Sequence, residues 1–440
     1  MKRLIALMLL VCMVLCLTAC GSSATTVEEY TEDETTESTA TDTAVEADPD
    51  VPEEAEEIPT EIPAEAEEDI IAYLTDGAYN SDSVIASTAS GEMSMQDVLY
   101  EAAYQYMYYS YMYSMYGMTL NLSDDAGDGT TVADYLMNYG RSSAVDMLAA
   151  YSKAVEMGIT LTEEDEATLA TLTEDNITSG GESLWDYYVS AGTISEDDYD
   201  DAAKEAWIQE HGAPYYEASM LAYGCTAESY LTMTEKYLYI NELQNYLFGD
   251  EGIYTLSDEE ASGEIASYVD ENGVIWGRCI LFSTMDAEDD TEIESIAAQA
   301  QEAYDTLAAL SGDELSEEFT NLQTEYDESG YTAGEVQYYT NADSLVDGYY
   351  DGLASLEPGQ VGITGQTDYG YFILLREEDN TDDIADTVES NYMSETYYAL
   401  LDSWIEEYGL SIEDIVPDVD AMTLMTKLGE LQTIVGNMEF

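Results

Sequence analysis

Apolar positions recur at helical spacing along a long first part of the chain. Between about Asp69 and Glu260 they repeat every three or four residues, as in Val132, Leu136 and Tyr139. This period predicts an amphipathic α-helix rather than a strand. No clear strand-period pattern is visible in this region. The region is therefore predicted to contain five to eight helices joined by short loops.

Helix starts are marked by a Ser or Thr with an acidic residue three positions later. Thr162, Ser195 and Ser257 each begin such a capping box, in which two orphan backbone N–H groups are satisfied. Helical spacing returns at the end of the chain, in 400–410 and 422–435. We expect these C-terminal helices to dock on the N-terminal helices.

Residues 270–378 carry a different pattern. A strand rich in Val, Ile, Trp and Phe is predicted over 273–283, and it is followed by two helices and a brief strand. A third helix is predicted over 345–355, and a final strand over 371–375. The order strand, helix, helix, strand, helix, strand indicates a compact α+β domain. We therefore predict an α+β chain in which 70–262 and 385–440 form a mainly helical body around the inserted domain 270–378.

The first twenty residues have the pattern of an export signal. Lys2 and Arg3 precede an apolar stretch over 4–17, which is too short for a comfortable membrane span. The stretch ends in Leu-Thr-Ala-Cys at 17–20, which resembles the bacterial lipobox. That resemblance implies cleavage before Cys20, a lipid on its thiol, and attachment to the outer face of the cytoplasmic membrane. The alternative is an ordinary secretory signal with a chance Cys.

Residues 21–69 are rich in Glu, Asp, Thr, Ala and Pro and lack Lys, Arg and His. Such a segment cannot bury enough apolar area to offset its ordering entropy, so a disordered, extended tether is predicted. The whole chain has a net charge of −86, with 9 Lys and Arg against 95 Asp and Glu. This balance excludes nucleic acid as a partner, because the surface repels phosphates.

The stretch 93–118 is crowded with Tyr and Met, including Tyr108, Tyr111, Met115 and Tyr116. These side chains cover nearly every side of a helix, so one core stripe cannot contain all of them. One interpretation is a central helix packed on several sides. The other is a surface for apolar partners, since Met adapts its shape and Tyr combines apolar area with a polar tip. Both can hold for different faces.

The inserted domain resembles the parvulin (PpiC-type) rotamase family. The run LVDGYYDGLASLEPGQV at 345–361 is similar to the family's helix and its Leu-x-Pro-Gly-x-Val turn, and YGYFIL at 369–374 resembles its last strand. RCIL at 278–281 resembles the family's first strand, and 319–329 resembles the end of its second helix. With the helical flanks, the lipobox-like motif and the tether, the chain resembles PrsA-type extracytoplasmic foldases. It resembles the SurA and trigger-factor chaperones more loosely.

The resemblance implies a site, but its usual polar centre is replaced. Phe372 and Cys279 stand where the family has its two His residues, and Ser329 matches the Cys or Asp near the substrate carbonyl. Leu345 and Tyr349 match the pocket for the prolyl ring. The implied activity is peptidyl-prolyl cis-trans isomerisation, which we expect to be weak or lost while peptide binding is kept. Cys279 and Ser329 are candidate catalytic positions, and no catalytic group is assigned.

Other patterns add little chemistry. DDAGDGT at 124–130 suggests a calcium loop, but Ala126 stands where a ligand belongs, so a polar turn is expected. No zinc spacing, phosphate loop or catalytic triad order is present, and no cofactor is implied. Cys225 and Cys279 could pair, although free thiols are expected. Three functions remain: a membrane-anchored foldase for newly exported chains, a non-catalytic holdase or scaffold, and a surface lipoprotein that binds cations, glycans or a dedicated partner.

Overall fold

The computed structural model describes residues 60–440 except 128, 327–334 and 344. The chain divides into two compact units. One comprises the described residues up to Gly249 together with Leu400–Phe440, and the other is Asp250–Ala399. This confirms the predicted α+β class, with a helical body that both ends of the chain build.

The first unit is almost entirely helical. Its elements are α1 (Ala64–Glu68), α2 (Ile70–Leu74), β1 (Val84–Ser87), β2 (Glu92–Ser94), α3 (Met95–Met115), α4 (Val132–Glu156), α5 (Glu163–Ser190), α6 (Asp201–Ala222), α7 (Ala227–Phe248) and α13 (Ala421–Asn437). Helix α13 packs against α2, α4 and α6 and buries Leu424, Leu428 and Leu431. Burial of this apolar stripe explains why the C-terminal segment docks on the N-terminal helices.

Helices α5 and α6 approach each other closely along glycines. A Cβ at Gly181 would lie 2.2 Å from the carbonyl oxygen of Ile208, and one at Gly212 would lie 2.2 Å from the carbonyl oxygen of Ile177. No side chain fits at either position, so these glycines set the distance between the two helices.

The capping predictions have different outcomes. Thr162 with Asp165 and Ser257 with Glu260 form capping boxes, as predicted. The prediction at Ser195 is wrong, because only a 3₁₀ turn follows it and its side chain makes no cap bond. The α-helix begins later, after Asp200, whose carboxylate accepts from the backbone N–H of Ala203. The sequence pattern also missed the β1–β2 hairpin, whose strands are only four and three residues long.

The second unit contains α8 (Asp258–Asn272), β3 (Ile275–Ser283), α9 (Asp290–Leu307), α10 (Asp313–Tyr326), β4 (Gln337–Tyr339), α11 (Tyr349–Ala354), β5 (Val361–Ile363) and β6 (Gly370–Arg376). Helix α12 (Asp382–Tyr408) begins in this unit and ends in the first. The predicted bounds at 262 and 270 both fall inside α8, and the predicted domain division stays a prediction.

The four strands of the second unit form an antiparallel sheet in the order β4-β3-β6-β5. One face packs against α9 and α10, through a cluster that includes Ile280, Leu307, Phe319 and Ile373, none of which is exposed. Trp276 of β3 belongs to a smaller cluster, which joins it to side chains of α8 and α12. Along the chain, the sequence predicted the elements from β3 to β6 except the short strand β5.

Candidate functional site

The second face of the sheet carries the positions that the family resemblance singled out. In the ladder between β3 and β6, Cys279 pairs with Leu374, and Leu281 pairs with Phe372. Residues directly opposite each other in an antiparallel ladder point to the same face. These four side chains therefore lie together, opposite the face that α9 and α10 cover.

Helix α11 covers part of this second face. It is one and a half turns long, from Tyr349 to Ala354, and is shorter than the predicted helix over 345–355. Gly348 precedes it with φ of 81°, a conformation that glycine adopts without strain. Leu353 packs so tightly on β3 that a Cβ at Gly277 would lie 2.7 Å from its methyl groups. The glycine in β3 thus allows the helix to lie close to the sheet.

The structure brings together all the described residues that the sequence placed at the site. Tyr349 is buried in a cluster with Tyr339, Leu353 and Leu374. The partly buried side chains that pack on this cluster include Cys279, Leu345 and Phe372. Two further residues that the sequence singled out, Ser329 and Cys20, lie outside the described residues.

Tyr349 links the apolar and polar parts of the site. Its ring meets the ring of Phe372 edge to face, with the centroids 5.4 Å apart. Its hydroxyl donates a hydrogen bond to the hydroxyl of Tyr339 at 3.0 Å. Burial raises the pKa of Tyr349, and the nearby Cys279 thiol and Tyr339 hydroxyl raise it further. The hydroxyl is therefore neutral across the physiological pH range.

Two polar residues that contact residues of this site were not found by sequence reasoning. Tyr339 in β4 is the hydroxyl partner of Tyr349, and burial raises its pKa as well. Gln323 in α10 is 1% exposed, and its side-chain amide donates to the backbone carbonyl of Cys279 at 3.0 Å. The only local signal for Tyr339 was its position in the short Gln-Tyr-Tyr strand, and Gln323 had none.

The site has no imidazole. Phe372 occupies the strand position where the resemblance implies a His. The chain's one His is His211 in α6, where its ring stacks on Trp207 and its Nδ1 lies 2.8 Å from the carbonyl oxygen of Trp207. The assembled face offers half-buried apolar side chains and a buried pair of neutral hydroxyls. This chemistry suits the binding of an apolar ring better than proton transfer.

Metal binding has no visible basis in the part of the chain that the structure covers. No group of three or more His, Cys, Asp or Glu side chains is close enough there to hold an ion. In the candidate calcium loop, one carboxylate oxygen of Asp125 accepts from the backbone N–H groups of Gly127 and Gly129. Neither of the described cysteines, Cys225 and Cys279, forms a disulfide.

None of the helices among the described residues combines the length and apolar character needed to cross a bilayer. No protein-family model and no curated protein matches the chain.

Solved structures similar to this chain include foldases and chaperones. PrsA from Bacillus subtilis is 15% identical, over 77% of this chain and 94% of that chain, with a TM-score of 0.20. The peptidylprolyl isomerase PrsA from Bacillus cereus is 13% identical over 68% and 99%, with a TM-score of 0.24. A SurA-like chaperone from Campylobacter jejuni is 15% identical over 50% and 89%, with a TM-score of 0.20.

These are the classes of protein that the sequence resemblance named.

Proposed function

We propose that this chain is an extracytoplasmic protein-folding factor that binds unfolded or newly exported polypeptides. A lipid on Cys20 would anchor it to the outer face of the bacterial cytoplasmic membrane, with 21–69 as a tether. The export signal, the lipobox-like motif and the resemblance to PrsA-type foldases support this proposal.

The observation that carries the proposal is the cluster on the α11 face of the sheet. Leu345, Tyr349 and Phe372 would bind a prolyl or other apolar side chain of the client, because the partly buried Leu345 and Phe372 pack against the buried ring of Tyr349. Cys279 and Tyr339 belong to the same cluster and contribute a thiol and a hydroxyl.

Isomerase activity would be weak or lost. Rotation about the prolyl amide crosses a barrier of about 18–20 kcal/mol that amide resonance sets, so a catalyst must favour the twisted amide. No covalent step is required, and desolvation in an apolar pocket alone gives part of the effect. The imidazoles that the resemblance implies are replaced by Cys279 and Phe372, which reduces the polar contribution.

Two assays run side by side test the proposal. One measures refolding of a substrate limited by proline isomerisation, and the other measures aggregation of an unfolded client. We expect suppressed aggregation with little or no acceleration of refolding. A chain that affects neither assay would refute the proposed function.

The lipid anchor is tested separately with Cys20→Ser. We expect this variant to be released into the medium or left unprocessed. Normal processing and unchanged retention at the membrane would show that Cys20 carries no anchor.

A non-catalytic holdase is the second candidate, and the missing imidazole favours it. Its signature is aggregation suppression without any acceleration of refolding. Strong acceleration by the chain would exclude it.

A further inference from the structure

Every Lys and Arg in the described part of the chain is already engaged by the chain itself. Lys153, Lys236, Arg278, Arg376 and Lys427 form ion pairs with Glu407, Asp97, Glu377, Asp379 and Asp76. Arg141 donates to the backbone carbonyl of Val416, and Lys204 lies over the ring of Trp185. The surface field is therefore set by the remaining carboxylates of a chain with a net charge of −86.

One part of the helical unit departs from this acidic character. Between Glu101 and Asp124 the sequence contains no charged residue. The first turns of α3 are buried, and no residue of that helix is fully buried beyond Ala103. Six side chains of 108–118 are between 38% and 74% exposed: Tyr108, Tyr111, Tyr113, Met115, Tyr116 and Met118. These six define what we call the Tyr–Met surface.

The Tyr–Met surface continues onto the start of α4. Tyr109 lies with its ring 6.2 Å from that of Tyr135, and Tyr135 and Tyr139 are each 37% exposed. These two residues are four positions apart on α4, so they share one side of the helix. An exposed aromatic area of this kind, larger than scattered single residues, marks an interaction surface.

We propose that the Tyr–Met surface binds unfolded polypeptide segments that carry Lys or Arg. This proposal rests on the proposed function and adds a second binding surface, with its own preference, to the helical unit. The faces of Tyr rings carry negative charge density and attract a guanidinium or ammonium group. Met side chains adapt to irregular apolar neighbours. The field of the surrounding carboxylates adds a longer-ranged attraction for the same segments.

Charge complementarity favours this occupant over others. Acidic segments and phosphate-bearing ligands are repelled, and no described Lys or Arg is left over to bind them. A second copy of the chain carries the same net charge and is repelled as well. The chain's own cations show the contact that we propose: Lys427 lies 5.0 Å from the ring centroid of Tyr73, and Lys153 lies 5.4 Å from that of Tyr408.

The test uses Tyr111→Leu with Tyr116→Leu, which keeps apolar area but removes the negative ring faces. The probe is an unstructured peptide of Arg, Gly, Ser and Leu, and its partner contains neutral citrulline in place of Arg. Loss of two exposed cation–π contacts should weaken binding of the Arg peptide about tenfold. Binding of the citrulline peptide should change little.

A control is Tyr187→Leu with Tyr246→Leu, which removes two exposed rings elsewhere in the same unit. We expect this variant to bind the Arg peptide as the unchanged protein does. Titrations at low and high salt separate the two contributions, because salt screens the field of the carboxylates. The difference between the two double variants should persist at high salt.

Two results would overturn the proposal. One is equal affinity of both double variants for the Arg peptide, which would assign the preference to net charge alone. The other is equal binding of the Arg and citrulline peptides by the unchanged protein. In either case, continued suppression of client aggregation would leave the proposed function standing. Absence of any client binding by the unchanged protein would refute the proposed function itself.

Discussion

The face of the sheet that α9 and α10 cover and the face that α11 covers differ in how completely they are closed. On the first face, Ile280, Phe319 and Ile373 are fully buried in an apolar cluster. On the second, Leu345 and Phe372 stay half-buried, and Tyr349 brings a hydroxyl into the cluster. The first face contributes stability through burial, and we predict that the second keeps apolar area available for a ligand.

The largest expected effect is on the closed face. Phe319→Ala deletes a fully buried ring and should lower the free energy of unfolding of this unit by about 3–5 kcal/mol. Phe372→Ala removes a ring that is only partly buried, so its cost should be about 1 kcal/mol. Amide hydrogen exchange along β3 and β6 measures both. Equal losses from the two variants would contradict the difference between the faces.

Ligand binding should be sensitive to the open face alone. Leu345→Ala with Phe372→Ala should weaken binding of a prolyl peptide by about 1–3 kcal/mol, because both side chains lose apolar contact with the ligand. The matched control is Ile296→Ala with Tyr371→Ala, two partly buried side chains on the closed face.

Peptide titration followed by chemical-shift mapping decides this prediction. We expect shifts around Tyr349 that the control variant retains. Shifts confined to the Tyr–Met surface, with none near Tyr349, would mean that the helical unit alone binds peptides.

The smallest effect concerns the buried hydroxyl pair. Tyr349→Phe removes the hydrogen bond to Tyr339 and should cost about 0.5–1.5 kcal/mol. The control is Tyr369→Phe, at an exposed ring, which should cost close to nothing.

Alkaline titration sharpens this prediction. The pKa of Tyr349 is raised in the folded state above its ordinary value of 10.0, so the folded protein holds this proton more tightly than the unfolded chain does. The contribution is complete below pH 10 and is lost as the pH rises above it. Tyr349→Phe should make the alkaline loss of stability less steep. An identical pH profile for the variant and the unchanged protein would contradict the assignment.

Local patterns predicted much of the fold because the signals are local. The apolar period identified α4, and the acids at Asp165 and Glu260 marked the helix starts after Thr162 and Ser257. The β1–β2 hairpin was missed because strands this short show almost no alternation. Helix α11 was predicted too long, since its sequence continues a helical pattern that the turn before Gly348 interrupts.

The candidate site could be predicted only in part. The family resemblance grouped Cys279, Leu345, Tyr349 and Phe372, and the structure brings these four together. It gave no indication of Tyr339, because the hydroxyl pair depends on how β4 and α11 meet across the sheet. The roles of these residues in binding stay a prediction.

The sequence by itself determined the helical and α+β segments, the acidic surface and the residue types at the site. Only the tertiary structure decided which apolar residues are buried. Helix α3 illustrates this, because its composition is apolar and aromatic throughout, yet it is buried up to Ala103 and partly exposed beyond it. Burial depends on which distant helices pack against each turn, and a residue's own sequence neighbours do not specify those contacts.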